Sequence, residues 1–238
     1  MKVFDKGFSL TWLGHSAFHL VSPRGKHVLV DPWLEGNPMA PVGDVPITHV
    51  DAILVTHAHS DHAGDVVRLA KRFRATVVSS HEAEIWFGRH GVDPRVGMGK
   101  GGTVQLAGLR VTMTHAVHSS SFDGDDHAYA GEPAGYVVTL ENGATLYFAG
   151  DTGPMMDMQL IGELYRPEVA VLPIGDHYTM GPREAAFAAK LLRVRWVVPC
   201  HYGTFPVLTG TPEALRAELQ RLGVQAEVVA PKPGQTVR

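Results

Sequence analysis

The sequence predicts an α/β protein of packed sheets with helices outside them, in one domain over residues 1–238. Short apolar runs rich in β-branched and aromatic residues are separated by turn signals, and 26 Gly and 16 Pro supply those turns. Hairpin-like pairs dominate the first half, whereas helical and strand segments alternate in the second. Apolar residues at 45% and charged residues at 19% give enough material for a large core and exclude a disordered chain.

Taken in order, SLTWLG (9–14), AFHLVS (17–22) and HVLVDP (27–32) read as strands. A Gly/Pro-broken loop, 33–46, precedes the buried-strand pattern AILVT (52–56). After a His-rich turn come a helix at Val66–Phe73, the strand TVVSS (76–80) and a helix at Glu82–Arg89. TVQL (103–106) and LRVTMTH (109–115) make a hairpin. GYVVTLE (135–141) and ATLYFAG (144–150) make another through Asn142-Gly143, a pair suited to a tight turn. The remainder alternates: helix 155–164, strand 169–174, helix Pro182–Leu192 with proline at its start, strand 196–199, helix 212–222 and strand 226–230.

A formal charge of −3 gives no bulk attraction to nucleic acid or anionic lipid. The only cysteine, Cys200, excludes an intrachain disulfide and a Cys-built zinc or iron–sulfur site, and it reads as a small buried hydrophobe. No apolar run has the length of a membrane span, and MKVFDKGFSL lacks a signal-peptide core. A cytoplasmic chain with no membrane partner is expected.

Against this background stand 14 histidines. His57-Ala58-His59-Ser60-Asp61-His62 places four metal-competent side chains directly after an apolar strand. The alternative is a solvated His-rich turn. On an extended turn His57 and His59, two apart, point the same way, and Asp61 and His62 face a second point where the chain bends into a helix. Two divergent pairs suit two cations better than one. Imidazole and carboxylate donors favour Zn²⁺, with Mn²⁺ or Fe as alternatives. Two pairs cannot fill two coordination shells, so further ligands come from other strand ends: His115 or His118, Asp151, and His201.

His57-x-His59-x-Asp61-His62, followed by His118, Asp151 and His201, resembles the metallo-β-lactamase superfamily along essentially the whole chain. Trp12–Ser16, Asp31-Pro32-Trp33-Leu34, His118-Ser119-Ser120-Ser121, Gly150-Asp151-Thr152-Gly153, Pro173-Ile174-Gly175-Asp176 and His201-Tyr202-Gly203-Thr204-Phe205-Pro206 resemble its UPF0173 metal-dependent hydrolase branch, related to ascorbate-6-phosphate lactonase. The resemblance implies a four-layer αββα sandwich with the site between the loop edges of two mixed sheets. It implies one metal on His57, His59 and His118, another on Asp61, His62 and His201, and Asp151 bridging; related proteins hold one metal or two. His118 is preferred to His115 because the family's His-Ser-Ser begins there.

A divalent cation brings the pKa of its water from about 15.7 to about 7, and Asp61 can orient that water as well as bind metal. His177, Tyr178, Tyr202 and His15 are candidates for stabilising the oxyanion or protonating the leaving group, with His177 and Tyr202 taken as catalytic alongside Asp61. Asp31 reads as a turn residue or one behind the ligands, and 121–133 as a solvated acidic loop, with a substrate lid as the alternative. The expected function is hydrolysis of an ester, lactone or phosphoester in a small molecule by metal hydroxide. The alternatives are an RNA or phosphodiester nuclease, which the charge disfavours, and a non-hydrolytic iron or metal-binding protein. A homo-oligomer is left open.

Overall fold

The computed structural model describes residues 4–41 and 47–238; the last five residues of the 33–46 loop lie outside the described residues. Its elements in chain order are β1 (Ser9–Trp12), β2 (Phe18–Val21), β3 (His27–Val30), β4 (Ala52–Leu54), α1 (Ser60–Ala63), α2 (Val66–Phe73), β5 (Thr76–Ser80), α3 (His81–Arg89) and β6 (Arg95–Met98). They continue with β7 (Thr103–Leu106), β8 (Leu109–His115), β9 (Ser121–Phe122), β10 (Ala128–Tyr129), β11 (Ala134–Thr139) and β12 (Thr145–Phe148). The last are α4 (Asp157–Tyr165), β13 (Val169–Pro173), α5 (Pro182–Leu192), β14 (Trp196–Cys200), α6 (Pro212–Arg221), β15 (Glu227–Val228) and β16 (Thr236–Val237).

Two seven-stranded sheets, ordered β16-β1-β2-β3-β4-β5-β6 and β15-β14-β13-β12-β11-β8-β7, form the centre. Alternation along the strands makes this stack. Leu10, Trp12, Phe18, Val28, Val30 and Leu54 of the first sheet meet Val111, Met113, Tyr136, Leu146, Phe148 and Val198 of the second. The residues between them point the other way. Leu29, Ile53 and Val77 pack with Val66, Leu69 and Phe87 of α2 and α3. Val137, Tyr147, Ala170 and Val197 pack with α4, α5 and α6. The result is the four-layer αββα sandwich. Each fully buried large side chain in it contributes about 1.5–3 kcal/mol of transfer free energy. Cys200 is buried between the sheets, as its reading as a small hydrophobe anticipates.

Helices α2 and α5 have the bounds read from the sequence, and α5 starts on Pro182, where its missing N–H costs nothing. The hairpin at Asn142-Gly143 forms with a longer connection than an Asn-Gly two-residue turn. Only Gly143 takes a positive φ (86°); Gly143 N donates to Leu140 O (2.9 Å) and Leu140 N to Ala144 O (2.8 Å), a type I turn with a bulge. The sequence reading lacks β6, β9, β10, β16 and α1. The 121–133 segment is folded back as the β9–β10 hairpin, although its tip from Asp123 to His127 is exposed.

The pairing register brings one end of every long strand to a common edge. Trp12 pairs with Phe18, Phe18 with Val30, Val30 with Leu54, and Leu54 with Val78. In the second sheet Tyr136 pairs with Met113 and Phe148, Phe148 with Val171, and Pro173 with Cys200. The chain segments carrying His15, Asp31, His57 to His62, His118, Asp151 and His201 all leave the sheets at this edge. Tyr136 Oη crosses from the second sheet to donate to Val55 O (2.9 Å), and Ala134 N donates to Thr56 O (2.9 Å), so the sheets are joined just behind His57.

Candidate metal centre

The residues expected as ligands converge. Asp151 Oδ2 lies 2.9 Å from His201 Nε2, 3.3 Å from His62 Nε2, 3.7 Å from His118 Nε2 and 4.0 Å from His57 Nε2. Asp61 Oδ2 lies 3.7 Å from His201 Nε2 and 3.9 Å from His62 Nε2. Candidate ligand atoms of His57, His59 and His118 fall within 4.8 Å of one another, and so do those of His15, Asp61, His62 and His201, and of Asp31, His57 and His62.

Local structure sets these positions. Gly150 has φ +64°, and a Cβ there would meet Ala134 O and Thr56 Cβ at 2.8 Å, so glycine lets Asp151 turn inward against the other sheet. His15, Asp31 and His201 hold φ of 52°, 46° and 53°. Positive φ is uncommon without glycine and gathers where function requires it. Loop 57–60 is held from behind: Ala58 N donates to Ser120 Oγ (3.2 Å) and Ser60 N to Asp123 Oδ2 (2.9 Å). Thr152 Oγ1 accepts from Val117 N (2.9 Å), which fixes the turn before His118.

Hydrogen bonds also select the imidazole tautomers. Asp31, buried beneath the cluster, accepts from Thr56 N (2.8 Å), Thr56 Oγ1 (2.6 Å) and His62 Nδ1 (2.8 Å). The Thr56 hydroxyl has spent its proton on Asp31, so His57 Nδ1 donates to it (3.1 Å). Both rings therefore turn Nε2 towards Asp151, as ligating histidines held by a second group do. His57 Nε2, His62 Nε2 and Asp151 Oδ1 are buried without a hydrogen-bond partner among the described residues. Such atoms are rare in a folded interior, and a cation among them satisfies them. The donor set of imidazoles and carboxylates fits a borderline divalent cation. His59, His118 and Asp61 remain partly exposed, so the cluster opens on that side.

The charges follow from the same contacts. Burial opposes charge on His62 and His201, but Asp151 with its neighbouring carboxylates outweighs it, holding His62 well above the usual imidazole range and raising His201 to about 9. His57 is pushed well below that range by burial and by His62, and His118 is lowered by burial. Asp151 and Asp61 are held below the usual carboxylate range because their imidazole partners outweigh burial. His15 is lowered to about 4, chiefly by burial. A neutral His15 facing Asp61 must donate from Nε2 (3.0 Å) and accept the Thr204 hydroxyl at Nδ1 (2.7 Å).

His115 is outside the cluster: its Nδ1 lies 2.9 Å from Lys100 Nζ, which also donates to Glu132 (2.7 Å). His118→Ala should lose at least one bound divalent ion per chain and His115→Ala none, measured by elemental analysis of purified protein; equal metal loss contradicts the assignment. Tyr202 lays its ring on Trp12 (centroids 5.2 Å apart), and burial raises its hydroxyl to about 12. His177 and Tyr178 stand exposed with their rings edge to face (4.4 Å). The roles of Thr56, Thr152 and Thr204 were not read from the sequence. The one local signal is a hydroxyl residue beside a candidate ligand, and that is too common to choose by.

Two sheets gather their strand ends around a His/Asp cluster suited to divalent metal, and a family model described as a beta-lactamase superfamily domain matches residues 26–202. Of the curated relatives, a UPF0173 metal-dependent hydrolase from Roseiflexus sp. strain RS-1 is 47% identical over 243 residues, covering 100% of each chain. Among solved structures, the metallo hydrolase Igni18 from Ignicoccus hospitalis is 38% identical over 97% of each chain, with a TM-score of 0.86. A diiron beta-hydroxylase from Streptomyces venezuelae, 15% identical with a TM-score of 0.75 over 98% of this chain and 54% of its own, shares the fold alone. The chain belongs to the UPF0173 metal-dependent hydrolase family of the metallo-β-lactamase superfamily.

Proposed function

We propose that the chain, as one domain over 1–238, hydrolyses an ester, lactone or phosphoester bond in a small molecule at a centre of one or two divalent cations, with Zn²⁺ favoured over Mn²⁺ and Fe. His57, His59 and His118 would hold one cation, Asp61, His62 and His201 the other, and Asp151 both. The observation that carries this reading is Asp151 Oδ2, with imidazole nitrogens of four histidines within 4.0 Å. When bound, the cations supply a water acidified towards neutral pH and an electrophile for the substrate's oxygen.

The chain's own groups do the rest. Asp61 is partly exposed and held by His15, which suits it to orient the attacking water as well as to bind metal. His177, exposed in the connection after β13, is the candidate proton donor to the leaving group. Tyr202 acts in this reading through its stack on Trp12, which steadies the turn after His201. The test is metal-free protein reconstituted with Zn²⁺, Mn²⁺ or Fe²⁺ and assayed on lactone, thioester and phosphodiester substrates. Turnover of one class that requires the metal supports the reading, and no metal-dependent turnover of any class overturns it.

A further inference from the structure

The connections that build the cluster share one compositional property. Residues 13–17, 31–41, 55–65, 116–133, 149–156, 174–181 and 201–211 contain neither Lys nor Arg. They do contain Glu35, Asp65, Asp123, Asp125, Asp126, Glu132 and Asp176, besides the carboxylates of the cluster. Lys100, in the β6–β7 connection at the same edge, is occupied by Glu132 and His115. Arg68 of α2 is drawn onto Asp65.

Apolar side chains are exposed in these same connections. Trp33 and Phe205 stack with centroids 6.1 Å apart, and both meet the edge of His15, the residue that holds Asp61. On the other side, Val117 adjoins His118 and is 50% exposed, while Tyr178 is 58% and Met156 68% exposed. Gly153 N donates to Val117 O (3.0 Å) and Met180 N to Thr152 O (3.1 Å), which joins the three connections carrying these residues into one wall.

We propose that the substrate of this centre is an uncharged acyl compound with an apolar acid portion, an ester or lactone, and not a phosphoester or another anion. The proposal rests on the hydrolytic reading above and narrows it. Sites that transfer phosphoryl groups surround them with Arg or Lys as well as metal, because negative charge grows on several oxygens at once. Here an anionic group would find no fixed cation on these connections and would face a surplus of carboxylates, which lowers its local concentration. An aliphatic or aromatic acyl chain meets Trp33 and Phe205 on one side and Val117 on the other. The reaction balances without redox change: the acyl C–O bond breaks, water gives its OH to the acyl carbon, and its proton ends on the departing alcohol.

Two p-nitrophenyl esters that differ only by a terminal carboxylate, the hexanoate and the hemiadipate, isolate charge from leaving-group reactivity. The holoenzyme should prefer the hexanoate by about tenfold or more in kcat/KM, with the gap shrinking in high salt. Val117→Lys, which removes an apolar contact and adds a cation, should shift the ratio of the two kcat/KM values several-fold towards the hemiadipate at equal metal content. Calorimetry with hexanamide and adipic acid monoamide reads the same preference without turnover, and hexanamide should bind more tightly. Equal or reversed preference in either measurement, or a larger rate enhancement on bis(p-nitrophenyl) phosphate than on the hexanoate, overturns the proposal. If neither these esters nor the lactone, thioester and phosphodiester substrates are hydrolysed, the hydrolytic reading fails while the amide pair still decides the charge preference of the cleft.

Discussion

Asp151→Ala is expected to abolish metal binding at both positions and, with it, hydrolysis. Among the described residues its carboxylate is the only one within 4.0 Å of imidazole nitrogens from both proposed triads. Loss of a group behind the ligands costs about 10–100-fold in metal affinity, and loss of a shared ligand should cost at least the upper end of that range. The substitution also leaves His62 and His201 without the carboxylate that holds their protons. Removing one partner of a buried pair costs about 3–5 kcal/mol, moderated here because both imidazoles can discharge. The variant should keep its far-ultraviolet circular dichroism and melt at lower temperature in metal-free buffer. Metal content equal to that of the unaltered protein would refute the shared-ligand role. Asp151→Asn separates the two effects, since it keeps the volume and removes the charge.

Metal uptake near pH 7 should release about two protons per fully loaded chain, from His62 and His201. In the metal-free state both imidazoles are charged against Asp31, Asp61 and Asp151, with His201 raised to about 9. Calorimetry in two buffers of different ionisation enthalpy measures the count, and apparent affinity should climb with pH until His201 has titrated. Uptake without proton release at pH 7 would show that these imidazoles are neutral. Stability of the metal-free chain follows the same linkage. His201, with its pKa raised on folding, stabilises fully below its unfolded value near 6.5 and loses that contribution as pH rises through about 9. Asp61 and Asp151, with lowered values, contribute above the unfolded value near 3.8 and lose it as acid protonates them. Chelated protein should therefore be sensitive to alkali in a way that the loaded protein is not.

Elements with strong local patterns were legible in the sequence. Helix α5 has proline at its start and an alanine-rich buried face, and β8 alternates polar and apolar residues before its fully buried stretch. Strand β6 escaped because Arg95–Met98 is mostly exposed, with Arg95 engaged by Glu84; only pairing with β5 makes it a strand. Strand β16 is two residues long and exists through its partner β1. The site divides in the same way. His57, His59, Asp61 and His62 stood out as a local cluster, and Asp151 and His201 as polar residues beyond strand ends. The bonds that aim them did not: Asp31 reaches Thr56 and His62 from 25 and 31 residues away, and Thr204 reaches His15 from 189. Such pairings are set by strand register, and a linear pattern does not carry them.

The outermost strands bear on how copies of this chain could associate. One sheet ends in β16, two residues long, and in β6, whose Arg95 is charged and ion-paired; the other ends in β15, also two residues, and in β7, which shows Thr103 and Gln105 to solvent. Short or polar margins of this kind offer an incoming strand few main-chain partners and deter continuous cross-molecule ladders. Assembly, where it occurs, falls to side-chain faces, and the long hydrogen-bonded interiors of both sheets stay out of reach of aggregation.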